Sequence, residues 1–561
     1  MFIRIKTTKN SPRKSVQIVE GIRDHEGKVK QRIVRHVGIA QDDDELERLK
    51  DLAEYVKTKL IAEHTPYFLP PEEVAEMAIE ARKKRTDQDN QGKPIPIDDI
   101  ALLTEEQTSI IGIHEIYGTI YDQLGFSQVI PNPVRTAHMS SYLRHIVLAR
   151  IANPTSKHKA VEQLAQDFGI TLQLHRVYRA MDKIDDRVVE RIQKCALGAA
   201  RSLFKDKIDV LFYDVTTLYF ESFTEDELKK NGYSKDMKFN QPQVVLALLV
   251  TKHGIPIGYE VFPGNQYEGH TLEVSVDALQ KRYDIDNIVF VADSGMLSKA
   301  NLEILESKGV KYIVGARLKN QPKQRHEKIQ NVAAFEQTSG DLKYTTIDLP
   351  ADQKLIVSYR ETRAYKDKKD RDKAIVKLIE KLKKSDKPDS LISNYGYKKY
   401  MTIEGEGQIK KNDLKILEDA KWDGLHGIIT NITDRPALEL LSHYTGLWQV
   451  EESFRITKHD LEARPIFHWS PERVKAHLAI CFMALTCVRH LEYRVALQSQ
   501  KLSPEVIRNA LCHVRVSVRM HEKTGMKYGF PSSFPPEAKQ IYQTLGLKLS
   551  SKPFQIPWKA A

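Results

Sequence analysis

The sequence predicts an α/β protein built on a mixed sheet, three antiparallel strands followed by two parallel ones. Three observations within residues 206–320 carry that reading. IDVLFYDVTTLYF is a strongly apolar run of strand character. QVVLALLVTKHGIPIGYEVF reads as two more strands joined at Lys252-His253-Gly254. Beyond them, helix and strand patterns alternate, as parallel strands with crossover helices require.

Taken in order, EGHTLEVSVDALQKRY is an amphipathic helix, NIVFVADSG a buried strand, LSKANLEILESKG a helix and KYIVGARL a strand. This is the order of a ribonuclease-H-like core, a five-stranded mixed sheet with flanking helices. Residues 321–425 break the rhythm: KDKKDRDKAIVKLIEKLKKSDK is a helix with a basic face and GYKKYMTIEGEGQIKK is strand material, together a β-rich insertion. GIITNIT returns to a strand, and 426–495 completes the core with helices. Thr430 and Asn431, at the end of that strand, either border a site or make a turn. Val474, Leu478, Cys481, Leu485, Cys487 and Val488 recur at helical spacing as a core stripe.

Residues 1–100 open with FIRIK, KSVQIVEGI and KVKQRIVRHVG, all strand-like, the last two flanking an Asp24-His25-Glu26-Gly27 turn. Arg13, Lys14, Lys28, Lys30, Arg32 and Arg35 give this hairpin a basic face, either a track for a DNA backbone or a solvated edge that discourages strand pairing. A charged helix over 42–64 and a polar linker over 83–99 follow. Residues 101–205 read as helical. Within them AVEQLAQDFGITLQLHRVYRAMDKI has a helix-turn-helix pattern, with Ala165 packing, Gly169 turning, and Gln173, His175, Arg176 and Arg179 facing outward. Any helical hairpin with a glycine corner matches equally well. The segment 496–561 is a mildly basic tail suited to DNA or a second subunit.

A net charge of +11 favours a polyanionic partner, since phosphate neutralisation releases counterions. The four cysteines, Cys195, Cys481, Cys487 and Cys512, form no CxxC pair and suggest neither zinc nor a disulfide framework. No uninterrupted apolar stretch is long enough to span a bilayer and no signal pattern opens the chain, so the expectation is a cytoplasmic protein without a membrane partner.

Asp214 ends VLFYD and Asp293 ends VFVAD. Open α/β sheets bind ligands beyond the carboxyl ends of their strands. Acids there are costly unless hydrated or paired, and a divalent cation, which takes oxygen ligands, relieves both. Each aspartate alone is equally a turn cap. A third acid comes from HYTGLWQVEESFRITKHDLEARP, read as one helix. Tyr444, Trp448, Glu451, Arg455 and Lys458 form one stripe beside an apolar stripe of Leu447, Val450, Phe454 and Leu461. That sets Glu451 at the border of the core and turns Glu452 to solvent. Glu451 with Arg455 is also a simple i,i+4 pair.

These segments, with YDVTTLYFE, GYSKD-x-K, PGNQYEGHT, VADSGMLSKANL and DGLHGIITN, resemble a bacterial insertion-sequence DDE transposase of the insertion-sequence-four superfamily, sixteen-thirty-four group. Its helix signature (Tyr, two residues, Arg, three residues, Glu, six residues, Lys) is matched by Tyr444, Glu451 and Lys458, with Leu447 in the Arg place. The gap from Asp293 to Glu451 is about twice that from Asp214 to Asp293, as the β-rich insertion of that superfamily implies. The resemblance implies Asp214, Asp293 and Glu451 as catalytic metal ligands for two Mg²⁺ ions, with Mn²⁺ substituting. Double-stranded DNA would be the substrate, both element terminal inverted repeats and target, with a homodimer joining two ends and nucleoid association when DNA is bound. Tyr444, Arg455 and Lys458 are the implied DNA contacts, Arg176 and Arg179 the helix-turn-helix ones. Trp422 either holds a displaced base or is core. Two other readings remain, a degenerate transposase kept for sequence-specific DNA binding and a different two-metal nuclease.

Overall fold

A computed structural model describes residues 2–7, 14–23, 29–40, 45–46, 49–50, 52–57 and 97–556, apart from 132–135, 206–207, 222–223, 233–239, 268–270, 284–287, 297, 339, 384–398, 405–407 and 499. The chain divides into two compact units. One holds Met1–Ile208, Ile255–Ile257 and Arg455–Ala561, the other Asp209–Gly254 and Gly258–Phe454.

The first unit begins with a sheet of β1 (Phe2–Thr7), β2 (Lys14–Arg23) and β3 (Val29–Ala40), antiparallel in that order. Val16, Ile18 and Ala40 bury one patch of it with Leu46 and Ala53 from the helical residues that follow. Arg32 and Arg35 are exposed, Arg32 pairing with Glu20 at 3.0 Å. The expected turn at Asp24–Gly27, Arg13, Lys28 and most of the expected linker lie outside the described residues.

The region read as helical from 101 opens instead with a strand, β4 (Leu103–Ile110). Five helices follow: α1 (Gly112–Gln123), α2 (Ala137–Ala152), α3 (Lys157–Phe168), α4 (Leu174–Met181) and α5 (Asp186–Phe204). The Ser156 hydroxyl caps α3 by accepting from Lys159 N at 3.2 Å, and Gly169 closes it with a φ of 67°, a conformation costly for any residue with a Cβ. Leu164 and Phe168 are buried under α3 where Ala165 was expected to pack; Ala165 is only half-buried. Gln173, His175, Arg176 and Arg179 on α4 face solvent, as the helix-turn-helix reading requires.

The second unit is a mixed α/β structure. Its strands are β5 (Val210–Tyr219), β6 (Gln243–Thr251), β7 (Pro256–Pro263), β8 (Val289–Ala292) and β9 (Lys311–Gly315), with α6 (Thr271–Tyr283) and α7 (Lys299–Ser307) inserted as the sequence predicts. They stand in the order β7-β6-β5-β8-β9, β5 antiparallel to β6 and parallel to β8, β8 parallel to β9. After α8 (Lys323–Gln330) come β10 (Glu336–Gln337), β11 (Leu342–Leu349), β12 (Gln353–Arg360), α9 (Glu361–Lys383), the hairpin β13 (Met401–Glu404) and β14 (Gln408–Lys411), α10 (Asp413–Ala420) and β15 (Leu425–Thr430). β15 pairs antiparallel with β9, and β12, β11 and β10 add to its far side, making one nine-stranded sheet. Much of the insertion therefore extends the same sheet. Helices α11 (Ala437–Thr445) and α12 (Trp448–Arg455) close the unit.

The remaining elements return to the first unit. α13 (Pro471–Gln498) is by length and composition able to cross a membrane, yet 94% of its apolar window is buried inside the protein. Its central turns, His477 to Glu492, are buried on every side and pack among α1 and α2, so the expected stripe is one side of a helix whose middle has no solvent face. Sequence patterning had grouped this helix with the α/β core; its contacts lie in the other unit. The tail is folded: α14 (Pro504–Cys512), β16 (Arg515–His521), β17 (Lys527–Pro531), α15 (Pro536–Thr544) and β18 (Phe554–Ile556), with sheet order β18-β17-β16-β4.

Candidate active site

The parallel ladder between β5 and β8 ends at the pair Tyr213–Ala292. Asp214 and Asp293 are the next residue on each strand, so they stand side by side at one level of the sheet. Asp293 follows the end of its strand, as the sequence predicts. Asp214 does not: β5 runs on to Tyr219 and stays paired with β6, Asp214 opposite Leu248. The continuation VTTLY is as strand-prone as the run before it, being β-branched and aromatic, which hid the point where β8 falls away.

Alternation along β5 assigns the faces. The Tyr213 hydroxyl lies 2.7 Å from Thr271 Oγ1 and 3.1 Å from Ser275 Oγ on α6, so Tyr213 points to the α6 side. Asp214 and Phe212 therefore point to the opposite side, where α11 and α12 lie. Gly446, between those two helices, sits against the Phe212 ring; a Cβ there would come 2.5 Å from Phe212 Cζ. The stretch read as one helix is thus broken at Gly446, restarts at Trp448, and gives way to a π-helical turn at Ile456–Asp460.

The break changes the helical phase. Leu447, Val450, Phe454 and Leu461 are buried as expected. Glu451, however, is exposed while its neighbour Glu452 is half-buried, the reverse of the expectation from a continuous helix. Glu451 still belongs to the acidic group, because its charge reaches the Tyr444 phenol. Burial, then Asp293, then Glu451, then an interaction with the Asp293 carboxylate, and finally Asp214, all hold that phenol protonated well above the ordinary tyrosine range. One tyrosine thus feels all three candidate acids.

Two residues absent from the sequence reading seat that tyrosine. Gly315 ends β9; a Cβ on it would overlap the Tyr444 hydroxyl and lie 2.9 Å from Ser294 N. His426, on β15, places its ring 5.1 Å from that of Tyr444, tilted by 42°. Burial and then Arg363 lower the His426 pKa, opposed by Asp293, so the ring is neutral in the absence of another anion. A lone glycine after YIV and a histidine inside GLHG gave no periodic signal.

Asp214 Oδ1 accepts from Val215 N at 2.7 Å and Asp293 Oδ1 from Ser294 N at 2.6 Å, each leaving its second oxygen outside these bonds. Among the described residues no ion pair engages Asp293 or Glu451, and no three His, Cys, Asp or Glu side chains are gathered tightly enough to share one metal ion. The donor set nonetheless suits a hard divalent cation, being all carboxylate oxygen with all three charges acting on Tyr444.

The other expected residues are distributed more widely. Thr430 donates to Tyr312 O at 2.6 Å, and Asn431 bridges Tyr312 N and Val310 O at 2.9 and 3.0 Å. These bonds tie the end of β15 to the start of β9, at the opposite end of the sheet from Asp293, so the turn role holds for both. Trp422 is half-buried and meets His326 edge-on at 5.0 Å. Its turn is clamped by Arg371, which holds Asp423 through two bonds of 2.6 and 2.7 Å, and by Asp367, which accepts from Gly424 N at 3.0 Å. Arg455 is exposed and pairs with Asp460 at 3.3 Å rather than with Glu451, and Lys458 is half-buried. Arg176 and Arg179 belong to the first unit, and the three acids to the second.

A mixed sheet bearing aspartates on neighbouring strands, with a glutamate on the covering helix, defines the class of nucleic-acid-cutting enzymes that work on phosphodiesters. Residues 205–487, just over half of the chain, match the family described as Transposase DDE domain, and residues 3–63 match the IS1634 family transposase, N-terminal domain. The chain belongs to the DDE transposases, and it is an enzyme of DNA cleavage and strand transfer. No curated protein matches it. Among solved structures it is similar to a piggyBac transposase synaptic complex with hairpin DNA (9% identity over 72% of this chain and 79% of that one, TM-score 0.36). It is similar also to a Mos1 transposase paired-end complex with the left transposon end (14% identity, 45% and 70%, TM-score 0.14). A third likeness is a Mos1 mariner paired-end complex with Mn (12% identity, 49% and 78%, TM-score 0.14).

Proposed function

We propose that Asp214, Asp293 and Glu451 are the catalytic carboxylates of a ribonuclease-H-like core, holding two Mg²⁺ ions for which Mn²⁺ substitutes. The observation that carries this is the convergence of all three charges on Tyr444, beside two aspartates at one level of neighbouring strands. Bound there, divalent cations activate the attacking hydroxyl and neutralise the leaving oxygen in phosphodiester chemistry.

The protein's own part is placement. Asp214, on the inner strand β5, is the ligand best positioned to serve both ions, with Asp293 and Glu451 each favouring one. The phenol of Tyr444, kept protonated, donates to a phosphate oxygen or to Asp293 and keeps the acids apart until cations arrive. Water cleaves each element end to free a 3′-hydroxyl, and the hydroxyl then attacks target DNA. Arg455, Lys458 and Trp422 contact the DNA near the cut, Arg176 and Arg179 contact it through α4, and a homodimer holds the two terminal inverted repeats. The protein acts in the cytoplasm on the bacterial nucleoid.

Strand cleavage of a labelled duplex carrying the element's terminal repeats tests this, with Mg²⁺, Mn²⁺ or EDTA, for wild type and Asp214→Ala. Cleavage by wild type with either cation, lost in EDTA and in the variant while both still shift the duplex in a gel, is the expected result. Equal cleavage by the variant would remove Asp214 from the reaction.

A further inference from the structure

The first unit contains a second charged site, built from residues 150–178 and 461–477. Arg150 on α2 and Lys157 at the start of α3 are both buried, 6% and 4% exposed. Buried cations are ordinarily paired with carboxylates, because an unpaired one gives up its hydration for nothing. Here the partners are neutral. Arg150 donates to Thr155 O at 2.8 Å and to the Leu461 and Glu462 carbonyls at 3.4 and 3.3 Å. Lys157 Nζ lies 3.3 Å from His477 Nδ1, whose other ring nitrogen lies 3.2 Å from Ala463 O. Among the described residues no carboxylate pairs with either cation.

These side chains wall a cavity of about 130 Å³, completed by Arg464, Phe467, His468 and Tyr178, with exposed Glu462 at its edge. That is several times the ~30 Å³ share of one water. The amino end of α3, capped by Ser156, opens onto the same space and adds its partial positive charge. His468 stacks at 5.3 Å from His477, and Phe467 is 60% exposed. Burial and then Arg150 lower Lys157 to about 7, and burial, then Lys157, Arg150 and Arg473, lower His468 to about 4.

We propose that this cavity is an oxyanion site that takes a phosphate group, with Lys157 and Arg150 as its charged floor and Arg464 and His468 at its rim. A tetrahedral anion would supply acceptors to the Lys157 ammonium and the His468 imidazole at once, in the geometry charge-assisted bonds favour. The phosphate comes either from a DNA backbone or from a free oxyanion such as inorganic phosphate. This site stands independently of the acidic one.

The test is a thermal-shift titration of the full-length protein with inorganic phosphate against chloride at matched ionic strength, since a ligand of the native state raises Tm in proportion to its occupancy. Wild type should be stabilised by phosphate beyond chloride, and Lys157→Met should bind it at least tenfold more weakly. His468→Gln, at the half-buried rim, keeps the test meaningful should Lys157→Met fold poorly, and circular dichroism checks both. A short DNA duplex that competes with phosphate identifies a DNA phosphate as the occupant; one that leaves the titration unchanged assigns the site to a free oxyanion. Phosphate acting no differently from chloride on wild type, or binding undiminished in folded variants, would overturn the proposal.

Discussion

The seat of Tyr444 gives the sharpest prediction. In Gly315→Ala the new methyl would overlap the phenol oxygen and press to 2.9 Å on Ser294 N. The second contact is backbone and cannot rotate away. β9 is held in register by β15, Gly315 opposite Ile428, and by β8, so it cannot retreat either. Tyr444 is therefore the group that moves. Overpacking of this kind costs about 1–3 kcal/mol, and we expect about 2 kcal/mol here, because the displaced ring can find solvent. The larger effect falls on chemistry. Moving the phenol displaces the interaction with Asp293 and the Ser294 turn beside it, and misplacement by about 1 Å costs on the order of 100-fold in rate. Single-turnover cleavage of an end-bearing duplex and urea unfolding, run on the same preparation, read the two effects separately. Gly198→Ala is the control: in the α5 interior a Cβ at that position meets nothing within 4 Å, so it should stabilise slightly or do nothing. Cleavage by Gly315→Ala within threefold of wild type would refute the idea that Tyr444 organises the acids.

Further expectations follow from the same geometry. Asp293→Ala and Glu451→Ala should each abolish cleavage while leaving the gel shift intact, and loss of DNA binding along with cleavage would point to a folding role instead. Asp423→Ala strands Arg371, only 8% exposed at its side chain, and should cost about 3 kcal/mol in urea unfolding, while an effect below ~1 kcal/mol would mean that the pair is solvent-screened. Stability should fall as pH drops below about 6.5, since burial lowers His114 and His490 to about 3 and His468 to about 4. The unfolded chain takes up those protons first, so the loss accumulates from pH 6.5 down to about 3; a flat urea midpoint between pH 7 and 4 would contradict it.

The strand order of the second unit was legible because its strands are apolar runs too short for helices, with helices of clear periodicity between them. What could not be read was pairing between distant segments. β4 pairs with β16 across some four hundred residues, and LTEEQTSI carries no apolar alternation strong enough to announce it. β11 and β12 join the central sheet through β15, a partner set by tertiary packing and not by their own pattern. The two aspartates were chosen by their position after apolar runs and Glu451 by its place on a helix. Gly315, His426 and Gly446 act by the space they leave or the ring they approach, and such roles leave no periodic trace.

The departure at Leu447 has a packing reason. The family signature has an arginine at this position, whereas helical spacing sets Leu447 in the apolar stripe beside the acidic one. In the structure Leu447 is only 7% exposed, on the buried side with Val450 and Phe454. Gly446, the residue before it, lies against the Phe212 ring with no room for a Cβ. An arginine there would bury a guanidinium with no carboxylate to meet it, at a cost of several kcal/mol. Leucine at 447 is thus the packing counterpart of glycine at 446. On this reasoning Leu447→Arg should destabilise the second unit without improving DNA affinity, and a gain in affinity at unchanged stability would show that the helix break is not obligatory.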